Sequence, residues 1–144
     1  MQTVTRSPGR MFMIVAIIAV LWNLLGVFMF IMQVTLSPAA IASMPAAQQA
    51  VYQAIPVWTN IAFGVAVLSG LVGSVGLLLK KRWAVPVFAL SLLAVLVQAA
   101  GNYMSTPLWQ VTGPSGLVMP LLVAAIALYL WRYAANAARH GWLH

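Results

Sequence analysis

No aspartate, glutamate or cysteine occurs anywhere in the 144 residues. Without carboxylates the chain lacks the usual general acids and bases, and it has no membrane-embedded acid through which a proton antiporter could work. Without cysteine, disulfides, thiolate metal sites and thiol nucleophiles are excluded. Charge of any kind is scarce: 5% of the residues carry it, all of them Lys or Arg, for a net charge of +7. Apolar residues make up 64% of the chain. A soluble domain of this size with that composition would expose large apolar patches.

Four apolar stretches, residues 11–32, 57–79, 83–103 and 115–131, each approach the ~20 residues that a helix needs to cross a bilayer core. They predict an all-α, polytopic membrane protein in which residues 1–144 form a single domain, with the four spans in an up-down bundle. The basic residues fall into three groups, Arg6 with Arg10, Lys80-Lys81-Arg82, and Arg132 with Arg139, while residues 34–56 and 104–114 hold none. Basic flanks are retained on the cytoplasmic side during insertion, so both termini are expected in the cytoplasm. Lys80, Lys81, Arg82, Arg132 and Arg139 are then placed to meet anionic lipid head groups, at about 1 kcal/mol each. Nucleic acid is a poor partner for so few cations, set beside spans rather than on one solvated face. Trp83, Trp131, Tyr133 and Trp142 form an inner aromatic belt in this arrangement, and Tyr52, Trp58, Tyr103 and Trp109 an outer one.

The start of the chain resembles a signal peptide, with Ala40-Ile41-Ala42 before Ser43 as a cleavage site. The apolar run exceeds the ~7–15 residues of a signal core, which favours a retained first span. Between spans one and two, Ser43 and Pro45 suit a helix start, and Met44, Ala47, Val51, Tyr52 and Ile55 recur at helical spacing opposite Gln48, Gln49 and Gln53. A short amphipathic helix on the outer surface is expected there, acting either as a packing lid or as a gate. Pro56, Pro86 and Pro120 lie near span beginnings, where a missing amide donor is tolerated.

Within the second span Ala62, Ala66, Ser69, Gly70, Gly73 and Gly76 set small side chains along one side, for close helix packing inside the monomer or across a homodimer. Polar residues recur at helical steps too: Asn23, Gly26, Phe30 and Gln33 in the first span, Ser91, Gln98 and Asn102 in the third, with Asn60 in the second. Asn23 falls near mid-membrane, and Gln33, Asn60, Gln98 and Asn102 in the outer half. The fourth span is wholly apolar over its centre and is expected to pack outside this polar group. Such amides need partners, since an unsatisfied one in hydrocarbon costs several kcal/mol. Either they bond one another as interhelical glue, or they line an outward-facing site for a neutral solute, with Trp58, Tyr103 or Trp109 as a stacking face and Trp22 as the floor.

Enzyme chemistry finds no footing. Ser69, Ser74 and Ser91 have no His or acid beside them, His140 and His144 lie beyond the fourth span without further metal ligands, and Gly70, Gly73 and Gly76 follow no strand. No cofactor or metal is expected. A faint repeat sets Leu77-Leu78-Leu79-Lys80-Lys81-Arg82-Trp83 against Leu128-Tyr129-Leu130-Trp131-Arg132, as in a parallel pair of hairpins.

Three segments carry a family resemblance: Leu21-Trp22-Asn23-Leu24-Leu25-Gly26-Val27, the Tyr52 to Trp58 segment with Pro56-x-Trp58, and Gly70 to Gly73 running into Lys81-Arg82-Trp83-Ala84-Val85-Pro86-Val87-Phe88. Together they resemble the small four-helix inner-membrane proteins of bacteria described as sugar transporters, over most of residues 15–95. The resemblance implies a bacterial inner membrane and passage of a neutral sugar. Family members show an acidic-aromatic pair after the first motif, where this chain has Met29-Phe30. The competing reading is a non-transporting structural or accessory subunit, whose amides hold helices together and whose small-residue face docks a membrane-protein partner or a second copy.

Overall fold

The computed structural model describes residues 9–144, so Arg6 lies outside the described residues. The chain is helical: α1 (Arg10–Val34), α2 (Pro38–Ala42), α3 (Ala46–Ala54), α4 (Val57–Leu78), α5 (Ala84–Ser105), α6 (Leu108–Thr112), a 3₁₀ turn (Gly113–Leu117) and α7 (Val118–Arg139), with no strand among the described residues. Four helical segments are long and apolar enough to cross a membrane: α1, α4, α5, and the run Leu108–Arg139 that ends in α7. At 25, 22, 22 and 22 residues, α1, α4, α5 and α7 are each about 33–38 Å long.

Proline rather than polar capping marks most beginnings. Pro56 is the N-cap of α4, and Pro86 and Pro120 occupy the first turns of α5 and α7, where no intrahelical donor is lost. The fourth span differs from its expected limits. Residues 115–117 belong to the 3₁₀ turn, because Gly113 and Pro114 open a tighter winding, and the helix then runs on past Arg132 to Arg139.

The segment before α4 also differs from expectation. It forms two short helices, and Ser43 closes the first of them, its hydroxyl donating to Ala40 O at 2.7 Å, instead of opening the second. Gln49, expected on the polar face, is half-buried and donates to Ala42 O (3.1 Å) and Met44 O (2.8 Å). These carbonyls at the end of α2 have no helical partner, so the side-chain amide satisfies them and ties α2 to α3.

α1 packs on α4, α4 on α5, and α5 on α7. Contacts on α1 and α4 run in opposite order, Asn23 with Ser74 and Gln33 with Asn60, so these two helices are antiparallel. The small residues of α4 explain its central place: Ala66, Ser69, Gly70, Gly73 and Gly76 are all buried, while Ala62 is half-buried. Gly73 faces the Phe88 ring and Gly76 the Trp83 ring. Gly70 has the closest neighbours, since an added Cβ would fall on the Asn23 side chain and 3.2 Å from Ser91 Oγ. Helices in lipid associate through such dispersion contacts, which only small residues allow at this range.

One end of the bundle, the basic end, carries Arg10, Lys80–Arg82 and Arg139; the other is uncharged. At the basic end Phe12, Ala16, Leu77, Ala84, Ala134 and Leu143 belong to one buried cluster. Phe12 closes α1 onto the end of α7, stacking on Tyr133 at 6.2 Å and meeting Trp142 edge-on at 5.9 Å.

Two helices stop here by the same device. Lys80 has φ 60°, with Lys80 N–H donating to Leu77 O (3.0 Å) and Lys81 N–H to Gly76 O (2.8 Å). Gly141 has φ 73°, with Gly141 N–H donating to Ala138 O (3.1 Å) and Trp142 N–H to Ala137 O (3.0 Å). A left-handed residue turns the chain so that the last carbonyls are satisfied.

The residues after α7 are therefore not a loose tail. His144 N–H donates to Lys80 O at 2.9 Å and Arg82 N–H donates to His144 O at 3.1 Å, so the segment pairs with the α4–α5 connection while Leu143 is buried beneath it. The side chains of His140 and His144 remain exposed.

Candidate ligand cavity

A cavity of about 360 Å³ lies among α1, α4, α5, α6 and α7. Trp22, Asn23, Gly26 and Met29 of α1 form one side, Phe63, Ala66 and Gly70 of α4 its back. Ser91, Gln98, Asn102 and Tyr103 of α5 run along its length, and Met119, Val123, Ile126 and Leu130 of α7 close the other side. The apolar fourth helix thus borders the polar group instead of packing outside it. Its cavity-lining residues are all apolar and make it a hydrocarbon-like wall opposite the amides of α5.

The polar residues expected to act together separate into two sets. Gln33 and Asn60 lie outside the cavity and bond each other, Gln33 Nε2 donating to Asn60 Oδ1 at 2.7 Å. Trp58 is also outside it; the indole is 49% exposed and rests on Gly101. Trp109 stands near Tyr103, ring centroids 6.4 Å apart.

Asn23 touches the cavity, and its amide nitrogen is already engaged. Its Nδ2 donates to Ala19 O (2.8 Å) and to Ser74 Oγ (2.9 Å), and Ser74 in turn donates to Gly70 O (2.7 Å). Ser91 donates to Ala66 O at 2.7 Å, and Ser69 to Val65 O. Ser91 thus ties α5 to α4 and Ser74 receives α1, as small polar residues in spans commonly do, while Ser69 bonds within its own helix.

Gln98, Asn102 and Tyr103 remain. Asn102 Oδ1 and Tyr103 Oη are buried and have no hydrogen-bond partner in the protein. Buried polar atoms are almost always paired, so two orphans on adjacent residues at one end of a cavity mark where an incoming group would be met. The amide oxygen accepts a hydrogen bond, and the phenol donates or accepts one. No Lys, Arg or His lines the cavity, so it offers nothing to compensate a charged ligand.

The sequence signalled Gln98 and Asn102 through their spacing in a span, and Tyr103 through its place at the span's end. It gave no sign of Leu108 from α6, or of the α7 wall, because uninterrupted apolar residues look the same whether they face lipid or a cavity.

Four membrane-length apolar helices around this cavity define an integral, multi-pass membrane protein. The chain matches no protein-family model, no curated protein and no solved structure.

Proposed function

We propose that this protein resides in a bacterial inner membrane as an up-down bundle of four spans, with both termini cytoplasmic, and that its cavity receives a small uncharged molecule. The orientation rests on the gathering of Arg10, Lys80–Arg82 and Arg139 at one end, which the positive-inside rule assigns to the cytoplasm. α2 and α3 then lie along the outer surface. The observation that carries the ligand site is the pair of buried, unpartnered atoms Asn102 Oδ1 and Tyr103 Oη beside a cavity of about 360 Å³, within the ~300–1,000 Å³ of small-molecule sites. Passage of a neutral sugar, which the resemblance implies, is the transport form of this reading.

The competing structural reading also has an observation behind it. Gln33 with Asn60, and Asn23 with Ser74, are mutually bonded amide and hydroxyl pairs that need no ligand. The small-residue face of α4, proposed as a docking surface in that reading, is covered within the chain by α1 and α5.

The test is a panel of neutral sugars, polyols, alcohols and other uncharged amphiphiles, scored for thermal stabilisation of the purified protein and, for the soluble ones, for uptake into proteoliposomes. The expected result is stabilisation by at least one class that is lost in Gln98→Leu/Asn102→Leu, with the unliganded melting temperature kept. Absence of any response across the panel, together with a lower melting temperature in the variant, would leave the amides as structural contacts and defeat the reading.

A further inference from the structure

The cavity has its buried, unpartnered polar atoms at one end and a largely apolar body in which Asn23 and Ser91 are already bonded, and that shape sets the class of ligand. Asn102 and Tyr103 stand at the uncharged end of α5, whereas Phe88, also lining the cavity, lies fourteen residues earlier, about 21 Å down the helix. Between them the lining is mostly Val95, Ala99, Val123, Ile126 and Leu130. A sugar filling this space would leave most of its hydroxyls against hydrocarbon, each costing about 1–3 kcal/mol without a partner. A molecule with a hydroxyl-bearing head and a single hydrocarbon tail would match both ends.

The mouth has the same character. Leu25 and Met29 of α1 and Met119 of α7 line the cavity and yet are 54%, 56% and 62% exposed, so they form its rim. Leu25 and Met29 sit inside a membrane-length helix, nine and five residues from its end, and their exposed faces therefore meet lipid chains rather than water. At the basic end Phe12 joins α1 to Tyr133 of α7. The gap between these two helices accordingly lies in the uncharged half and faces sideways.

Resting on the reading of the cavity as a ligand site, we infer that its ligand is a neutral single-chain lipid bearing hydroxyls, of the monoacylglycerol type, which enters laterally from the outer leaflet between α1 and α7. The head group donates to Asn102 Oδ1 and exchanges a hydrogen bond with Tyr103 Oη, and the tail lies along the α7 wall toward Phe88. Head and tail then keep the orientation they have in the leaflet, so entry needs no inversion of the lipid. An ionised fatty acid is refused because no cation lines the cavity.

The experiment uses the full chain in liposomes with a monoacylglycerol carrying a diazirine at mid-chain, photolysed and mapped by mass spectrometry. Saturable labelling of Met29, Met119 or Val123 is expected, displaced by unlabelled monoacylglycerol and not by free fatty acid or glycerol. Asn102→Leu/Tyr103→Phe should weaken it at least tenfold, and Val123→Trp, which fills the cavity, should abolish it. Unchanged melting temperatures will show that both variants fold. Labelling spread over all lipid-facing residues, displacement by fatty acid, or full labelling of Val123→Trp would overturn the inference. So would a chain-to-chain cross-link at Met119, which would make a second copy the occupant of the gap. If soluble sugars alone stabilise the protein in a manner dependent on Asn102, the cavity reading survives and the lipid assignment fails; if nothing binds, both fail.

Discussion

The two ends of the bundle are built from the same four helices and differ in almost everything else. At the basic end Phe12, Leu77, Ala84, Ala134 and Leu143 are buried together, two helices end in left-handed turns, and the segment after α7 is hydrogen-bonded to the α4–α5 connection. Toward the uncharged end a cavity opens between the helices, and the connections are short helices containing no buried residue. One end is a fixed joint and the other an opening. α1 and α7 meet through Phe12 and Tyr133 at one end and border the cavity from opposite sides toward the other.

Substitutions that break this contrast should differ in size according to the end and layer they touch. The largest effect is expected for Gly70→Leu, whose side chain must displace Asn23 and Ser91 at the junction of α1, α4 and α5. Overpacking of this kind costs about 3 kcal/mol, and unfolding in mixed detergent micelles should show it as a loss of the α1–α4 contact. Leu143→Ala follows, at about 2 kcal/mol, because the site lies at the water-facing end where burial still counts. Ligand-induced stabilisation at the opposite end should persist in that variant; its disappearance would show that the two ends are coupled rather than separate.

Lys80→Gly sharpens the comparison in the other direction. Lys80 holds the left-handed conformation that Gly141 holds at the equivalent stop of α7, and a non-glycine residue there costs about 1 kcal/mol. The variant should therefore be more stable than the parent by that amount in equilibrium unfolding. The smallest effect is expected from the Gln33–Asn60 pair, at about 0.6 kcal/mol of coupling in a double-mutant cycle with leucine at each position. A coupling of zero would mean that the pair is no more than a surface contact.

The contrast between the ends was only partly legible in the sequence. Continuous apolar runs placed α1, α4 and α5 within about two residues of their ends, because hydrocarbon thickness fixes length and the flanking charges and prolines fix the limits. The small-residue side of α4 was readable for the same reason: its period is helical and its residue sizes admit close neighbours. Which amide would meet which was not readable. Gln33 and Asn60 find each other, while Asn102 finds nothing, and that depends on how neighbouring helices are turned about their axes. The packing of Leu143 was invisible as well, since Trp142 and Leu143 after His140 are too few to show a periodicity. The left-handed turn at the end of α4 was hidden too, since it is made by Lys80, where α7 uses Gly141.

The order of packing has a consequence for biosynthesis. α1 lies on α4, α4 on α5 and α5 on α7, so each span after the first, on leaving the insertion machinery, finds a packing neighbour already in the bilayer. Assembly can proceed one helix at a time, with no span waiting unpaired for a distant partner and with small loop-closure costs at every step. Phe12 stacks on Tyr133, which joins the first long helix to the last. Until α7 arrives, α1, α4 and α5 lack the wall that closes the far side of the cavity.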